Sequence, residues 1–342
     1  MARLAMLFTG GTISMGFDPV AGGNVPALDG AAILARTPGI ESIAEIVPID
    51  RGLTPASHFT FAEVLEIGQV IQDALDEPST DGAVVVQGTD TIEETSFAWD
   101  LVLRSSKPVL VTGAMRAPHE DGFDGPANLR DAVIAAVSPA LRDMGVVVAL
   151  AGTLEPADDA TKLHTSAFTA FGSPNGSTLG RVTDGRVVLE RPRGPRRRLE
   201  GPPPVDGARV HLLTAGIGSD GSLLDAAVAA GAEGIVVAAT GAGNTSPGWL
   251  AAAERAITAG VVLALASRCP AGAVSRAYAF PGGGATWVRA GALRVGTLCA
   301  IKARVALALG LGAGLGREAL GRLLGDPATS EPPSPAPSEP LG

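Results

Sequence analysis

VVVQGTDTIEET, residues 84–95, is the stretch that decides the fold. Three valines and a glutamine form a short continuous apolar run, the mark of a strand covered on both faces. Gly88 ends the run. Thr89, Asp90 and Thr91 fill the turn, and a helical pattern follows in which Thr91 and Glu94 stand at capping-box spacing. A turn of this length needs one capping side chain, and Asp90 or Thr91 could supply it. The chain places two hydroxyls and a carboxylate there, so two of the three are spare. In open α/β sheets ligands bind at the carboxyl ends of strands, where this turn lies.

The same alternation continues in both directions. Further strand runs are read at Leu4–Thr9, Ala83–Gln87, Val109–Thr112, Val146–Leu150, Val210–Thr214, Ile235–Thr240 and Val261–Ser267. Thr60 with Glu63 predicts a capped helix carrying Val64, Ile67, Ile71 and Leu75 on one face. Ser222 with Asp225 is a looser start, and Ser246-Pro247 places a proline at the first helical position. Strand–helix repetition predicts an α/β protein of two mainly parallel sheets. Composition breaks at RPRGPRRRLEGPPPVDG, after which the alternation restarts. The expected domains are 1–190 and 208–325, joined by a linker at 191–207, with a Pro/Ser/Glu-rich disordered tail at 326–342.

The chain has 342 residues, enough for two cores, with 46% hydrophobic and 18% charged residues. A formal charge of −9 argues against a nucleic-acid-binding surface. The basic cluster Arg191–Arg198 reads as solvated linker. Cys269 and Cys299 form no motif and read as reduced structural residues. MARLAMLFTGG holds one arginine and too short an apolar run for a signal peptide. No apolar stretch reaches the roughly 18 residues of a membrane span, and a cytoplasmic protein is expected. No G-x-S-x-G elbow or H-E-x-x-H site occurs. His58, His119, His164 and His211 are scattered. The acidic turn from Glu120 to Asp124 lacks calcium-loop spacing and reads as polar surface.

Two more stretches bear on chemistry. In FTGGTISMG, residues 8–16, Gly10 and Gly11 let backbone approach a ligand, and Thr9 and Thr12 flank them. The stretch fits neither a phosphate-binding loop nor a dinucleotide fingerprint; a tight capped turn is the plainer alternative. In ATKLHTSAFTAFGSPN, residues 160–175, Lys162 follows a strand–loop. A lone lysine is ordinarily a solvated charge. Beside Asp90 it would form a buried pair able to activate a hydroxyl.

Taken in order, these pieces resemble the bacterial-type L-asparaginase/glutaminase family. The matching segments are TGGTI (9–13), GTDTIEET (88–95), TGAMR with DGPANL (112–116, 124–129) and the run from Lys162 to Gly180. Weaker matches are TGAGN (240–244), SRCPAG (267–272) and KAR (302–304). The resemblance implies a larger N-terminal α/β domain and a smaller flavodoxin-like C-terminal one. It implies a homodimer or homotetramer with active sites between paired subunits. It further implies hydrolysis of the side-chain amide of asparagine, sometimes glutamine, through a threonyl acyl-enzyme, without metal or cofactor. Thr12 corresponds to the nucleophile, and Thr89, Asp90 and Lys162 to a second triad. Asp90 also matches the residue that holds the substrate's α-amino group. Gly11, Gly88 and the backbone at Ala114 fall at substrate-contacting positions.

Two departures stand out. The serine that holds the substrate's α-carboxylate falls on Ala56 or, with a one-residue shift, on Ser57. The lid from Ser14 to Leu28 has no tyrosine; the single tyrosine is Tyr278. The alternatives to an asparaginase are a weakly active amino-acid-binding relative and the amidase component of a tRNA-dependent amidotransferase.

Overall fold

A computed structural model describes residues 1–326, and the proline-rich stretch expected to be a disordered tail lies outside them from 327 onward. The described chain divides into two compact units, 1–206 and 207 onward.

The first unit begins with β1 (Ala2–Phe8), which runs through a glycine turn into a hairpin of β2 (Met15–Asp18) and β3 (Gly23–Pro26). Then come α1 (Gly30–Leu34), β4 (Ala44–Asp50), α2 (Phe61–Asp76), β5 (Gly82–Val86), α3 (Ile92–Val102), β6 (Val109–Thr112), α4 (Gly125–Ala136) and β7 (Val146–Leu150). The unit closes with β8 (Thr153–Pro156), the two-residue strands β9 (Thr161–Lys162) and β10 (Phe171–Gly172), β11 (Gly180–Thr183) and β12 (Arg186–Leu189). Eight strands form one sheet in the order β12-β11-β8-β7-β6-β5-β1-β4. The five from β4 to β7 are parallel, as expected. β8, β11 and β12 extend the sheet antiparallel, which the sequence patterns did not disclose. β5, β6 and β7 are buried at every position, so they read as continuous apolar runs. β4 lies at the sheet edge and alternates in exposure, and it escaped that criterion.

The Thr60–Glu63 capping box is present. Glu63 N–H donates to Thr60 Oγ1 at 3.2 Å, and Thr60 N–H donates to Glu63 Oε2 at 2.7 Å. It starts α2, whose Val64, Ile67, Ile71 and Leu75 are buried. Trp99 on α3 donates its indole N–H to Val64 O at 2.8 Å and locks the two helices together.

The arginine run expected to be solvated folds back onto this unit. Arg193 and Arg196 keep only 4% and 7% of their side chains exposed and converge on Asp100 of α3, itself 1% exposed. Burial pushes the Asp100 carboxyl up, and the two guanidinium groups pull against that rise.

The second unit alternates β13 (Val210–Thr214), α5 (Ser222–Ala229), β14 (Gly234–Ala239), α6 (Pro247–Thr258), β15 (Val262–Ser267), α7 (Gly284–Ala290), β16 (Leu293–Arg294), α8 (Ala300–Gly312) and α9 (Arg317–Leu324). Its four strands form a parallel sheet in chain order. Ser246 precedes α6 with Pro247 at the first position, but its hydroxyl donates to Ser219 O at 3.0 Å and not to the helix. Cys269 is exposed rather than packed, and Cys299 is half-buried.

Candidate active site

The carboxyl ends of β1, β5 and β6 meet at glycines. Thr9 ties β1 to β5, its N–H and Oγ1 both donating to Val86 O at 3.0 and 3.2 Å. Gly10 and Gly11 follow with φ of +102° and +99°. A Cβ on Gly11 would stand 2.2 Å from Gly88 N and 2.3 Å from Gly88 Cα, so the two turns lie backbone against backbone. Thr12 and Thr89, each the next residue in its chain, are thereby brought to one place. A Cβ on Gly113 would reach Gln87 O at 2.4 Å and Thr89 Cγ2 at 3.3 Å, which sets the turn of Gly113 and buried Ala114 alongside.

The three residues of the β5 turn have separate duties, and none caps α3 through its side chain. Lys162 Nζ donates to Thr89 Oγ1 at 2.9 Å and to Asp90 Oδ1 at 2.7 Å. Thr91 Oγ1 donates to Ala56 O at 3.1 Å and holds the 55–59 loop, which corrects its expected capping role. Lys162 lies on β9, registered opposite Phe171, and its backbone N–H donates to Glu93 Oε2 at 3.3 Å. The Lys162–Asp90 pair is less enclosed than expected: the lysine side chain is 14% exposed and the aspartate 76%. Asp90 therefore stands at a rim, where a carboxylate can keep one oxygen on Lys162 and offer the other to a ligand. An open pocket of about 250 Å³ lies here, lined by Asp90, Lys162, Leu163, His164 and Thr165.

The Asp124 carboxylate and the Asn128 amide shape the β6 turn. Asp124 accepts from Met115 N–H and Arg116 N–H at 3.0 Å and from Asn128 Nδ2 at 2.8 Å. Asn128 also donates to Gly113 O at 3.1 Å and accepts from Ala151 N–H at 3.0 Å. Asp124 thus organises the turn, where its spacing had suggested a carboxylate facing only solvent. Among the described residues no group of three or more His, Cys, Asp or Glu side chains could hold a metal ion.

Comparison with known proteins agrees with this arrangement. The asparaginase N-terminal family profile matches residues 3–194, and the glutaminase/asparaginase C-terminal domain profile matches 209–324. The chain belongs to the asparaginase/glutaminase family. It is an amidohydrolase by that membership. A probable L-asparaginase of Deinococcus radiodurans is 36% identical, over 94% of this chain and 97% of its own length. An L-asparaginase of Bacillus licheniformis is 31% identical, over 90% and 94%. The crystal structure of a probable cytoplasmic L-asparaginase from Campylobacter jejuni superposes with a TM-score of 0.84 at 27% identity, covering 95% of this chain and all of that one.

In this family member two of the lid's polar side chains, Ser14 and Asp18, are occupied. Ser14 is fully buried and donates to Gly11 O at 2.7 Å. Asp18 accepts from Val20 N–H at 2.7 Å and Ala21 N–H at 3.2 Å and closes the β2–β3 turn. Phe17 on the same hairpin packs against His119 with the rings tilted by 55° and their centroids 5.9 Å apart. Ala56 is buried with its Cβ facing Gly88, whereas Ser57 is exposed. Tyr278 is 46% exposed and tilts against Phe280. Sequence reading gave Thr91 only a capping role and Asp124 only a place in a polar surface turn, and assigned no role to Glu93 or Asn128. Their signal was available only as polar residues inside the matched segments GTDTIEET and DGPANL.

Proposed function

We propose that the chain is an L-asparaginase, hydrolysing the side-chain amide of L-asparagine to L-aspartate and ammonia. The observation that carries this reading is Lys162 Nζ, 2.9 Å from Thr89 Oγ1 and 2.7 Å from Asp90 Oδ1, beside the contact of Gly11 with Gly88. Thr12 Oγ attacks the amide carbonyl, the C–N bond breaks, and the nitrogen leaves as ammonia with a proton transferred to it. Water then attacks the threonyl ester and releases aspartate. Thr89, oriented by Lys162, handles the proton of the attacking group. The exposed oxygen of Asp90 holds the substrate ammonium by a charge-assisted bond. The backbone at Gly11, Gly88 and Ala114 lines the amide, and Ser57 is assigned to the α-carboxylate end. The relatives named above are L-asparaginases, and the Campylobacter jejuni protein is described as cytoplasmic; we assign this chain the same compartment and a homo-oligomeric state. No helix among the described residues is long and apolar enough to cross a membrane.

The test is ammonia release from L-asparagine, L-glutamine and the D-isomers, with Thr12→Ala as the control. Loss of a nucleophile should lower kcat by ~10³ or more while the fold persists. Wild-type turnover by Thr12→Ala removes that residue from the role.

A further inference from the structure

We propose that Arg193 and Asp158 form a positioning clamp that sets Lys162 against Thr89 and Asp90. Thr89 and Asp90 stand at the head of α3, and Asp100 lies near its other end, about 15 Å further along the axis. Lys162 arrives from elsewhere, at the end of the short 157–160 tether that leaves β8, and Asp158 sits in that tether. Arg193 joins the two. Its Nη2 donates to Asp100 Oδ2 at 2.6 Å and to Asp158 Oδ1 at 3.1 Å. Its Nη1 also donates to the carbonyls of Met144 and Val146 at the head of β7.

The clamp is closed on both sides. Arg196 Nε donates to Asp100 Oδ1 at 3.1 Å and its Nη2 to Asp100 O at 3.0 Å, while Arg197 Nη1 lies 3.6 Å from Asp158 Oδ2. The tether itself is turned by Asp159 N–H and Ala160 N–H, which donate to Pro156 O at 2.9 and 2.8 Å. Asp158 is therefore the tether's own side chain that reaches α3, through Arg193, while Glu93 of α3 accepts the Lys162 N–H at the tether's end at 3.3 Å. A planar guanidinium can address two carboxylates at once in fixed geometry; a lysine in its place would act as a point charge without that fork. Arg193 is 4% exposed and lines no part of the pocket beside Asp90, so its effect on chemistry runs through Lys162.

This inference rests on the amidohydrolase chemistry assigned above to Lys162, so its test includes a readout that needs no substrate. Removing Arg193 would strip the buried Asp100 carboxylate of one of its two guanidinium partners and cost stability for unrelated reasons. Asp158→Ala is the better variant: Asp158 is 24% exposed, and its loss leaves Arg193 paired with Asp100. The chain has three lysines, Lys107, Lys162 and Lys302. Competitive acetylation with acetic anhydride, read by peptide mass spectrometry against Lys107, reports the freedom of Lys162 directly. In Asp158→Ala the relative rate at Lys162 should rise at least about threefold, the factor matched to an exposed ion pair. The kcat for asparagine should fall about 10- to 100-fold with KM changed far less, as for a displaced catalytic group. In a Lys162→Met background Asp158→Ala should add nothing further. An unchanged acetylation rate, or the same kcat loss in the Lys162→Met background, overturns the clamp. A raised acetylation rate in a protein that hydrolyses none of the four amides upholds the clamp and sinks the asparaginase assignment alone.

Discussion

Gly11→Ala tests the contact on which the whole site is built. Gly11 has φ +99° and ψ −175°, a region open almost only to glycine, and a side chain there costs about 1–3 kcal/mol in backbone strain. The added Cβ meets Gly88 N at 2.2 Å, where ordinary contact begins at 3.4 Å, so the two backbones must part by 3.4 − 2.2 = 1.2 Å. The obstruction is backbone, with no flexible side chain to yield, and overpacking of this kind adds about 1–3 kcal/mol. The sum, about 2–6 kcal/mol, is a large share of the 5–15 kcal/mol that holds a typical domain. The same shift moves Thr89 away from Thr12, and a displacement of ~1 Å costs roughly 10²-fold in rate. Gly22→Ala serves as the control. Its φ is +68° and nothing lies within 4 Å of the new methyl, so only the left-handed backbone term of ~1 kcal/mol applies. Urea unfolding and initial rates of ammonia release on both variants separate the effects. If Gly11→Ala unfolds at the same midpoint as Gly22→Ala and keeps wild-type kcat, the backbone contact does not assemble the site.

Thr89→Val and Lys162→Met should each lower kcat about 10²- to 10⁴-fold, and the double variant should be no worse than the poorer single one, because the 2.9 Å bond makes them act together; multiplied losses would show that they work apart. Asp90→Asn should raise KM for asparagine more than it lowers kcat, since its exposed carboxylate is assigned to the substrate ammonium; a pure kcat effect counts against that assignment. Asp124→Ala removes the acceptor for two backbone N–H groups and Asn128, and should cost about 1–3 kcal/mol in unfolding free energy together with a fall in kcat through the Gly113–Ala114 turn; unaltered stability would make the network incidental. Asparagine should exceed glutamine in kcat/KM, because one more methylene displaces the amide from Thr12 by ~1 Å; equal values overturn this. Turnover should be at or below about 10 s⁻¹ and indifferent to Tyr278→Phe, with Thr89 and Lys162 as the activating groups; a sharp kcat loss in that variant would assign the phenol a role.

Features set by near neighbours were legible in the chain alone. The buried strand β5, the capping box that starts α2 and the glycine turn after β1 each depend on residues within a few positions, and a strand buried on both faces must be apolar throughout. The surplus of polar groups in Thr89–Asp90–Thr91 was legible as a surplus, since one cap suffices. What each of the three contacts depends on partners far along the chain: Lys162 for the first two, Ala56 for the third. The antiparallel strands β8, β11 and β12 are short and partly exposed, so no local period announces them. The arginine run shows the limit most plainly. Eight residues of RPRGPRRR look like solvated linker, because composition records charge and not what faces it. Only the fold brings Asp100 and Asp158 to Arg193, and a charge becomes buried structure when its counter-charges converge from distant segments to offset the loss of water.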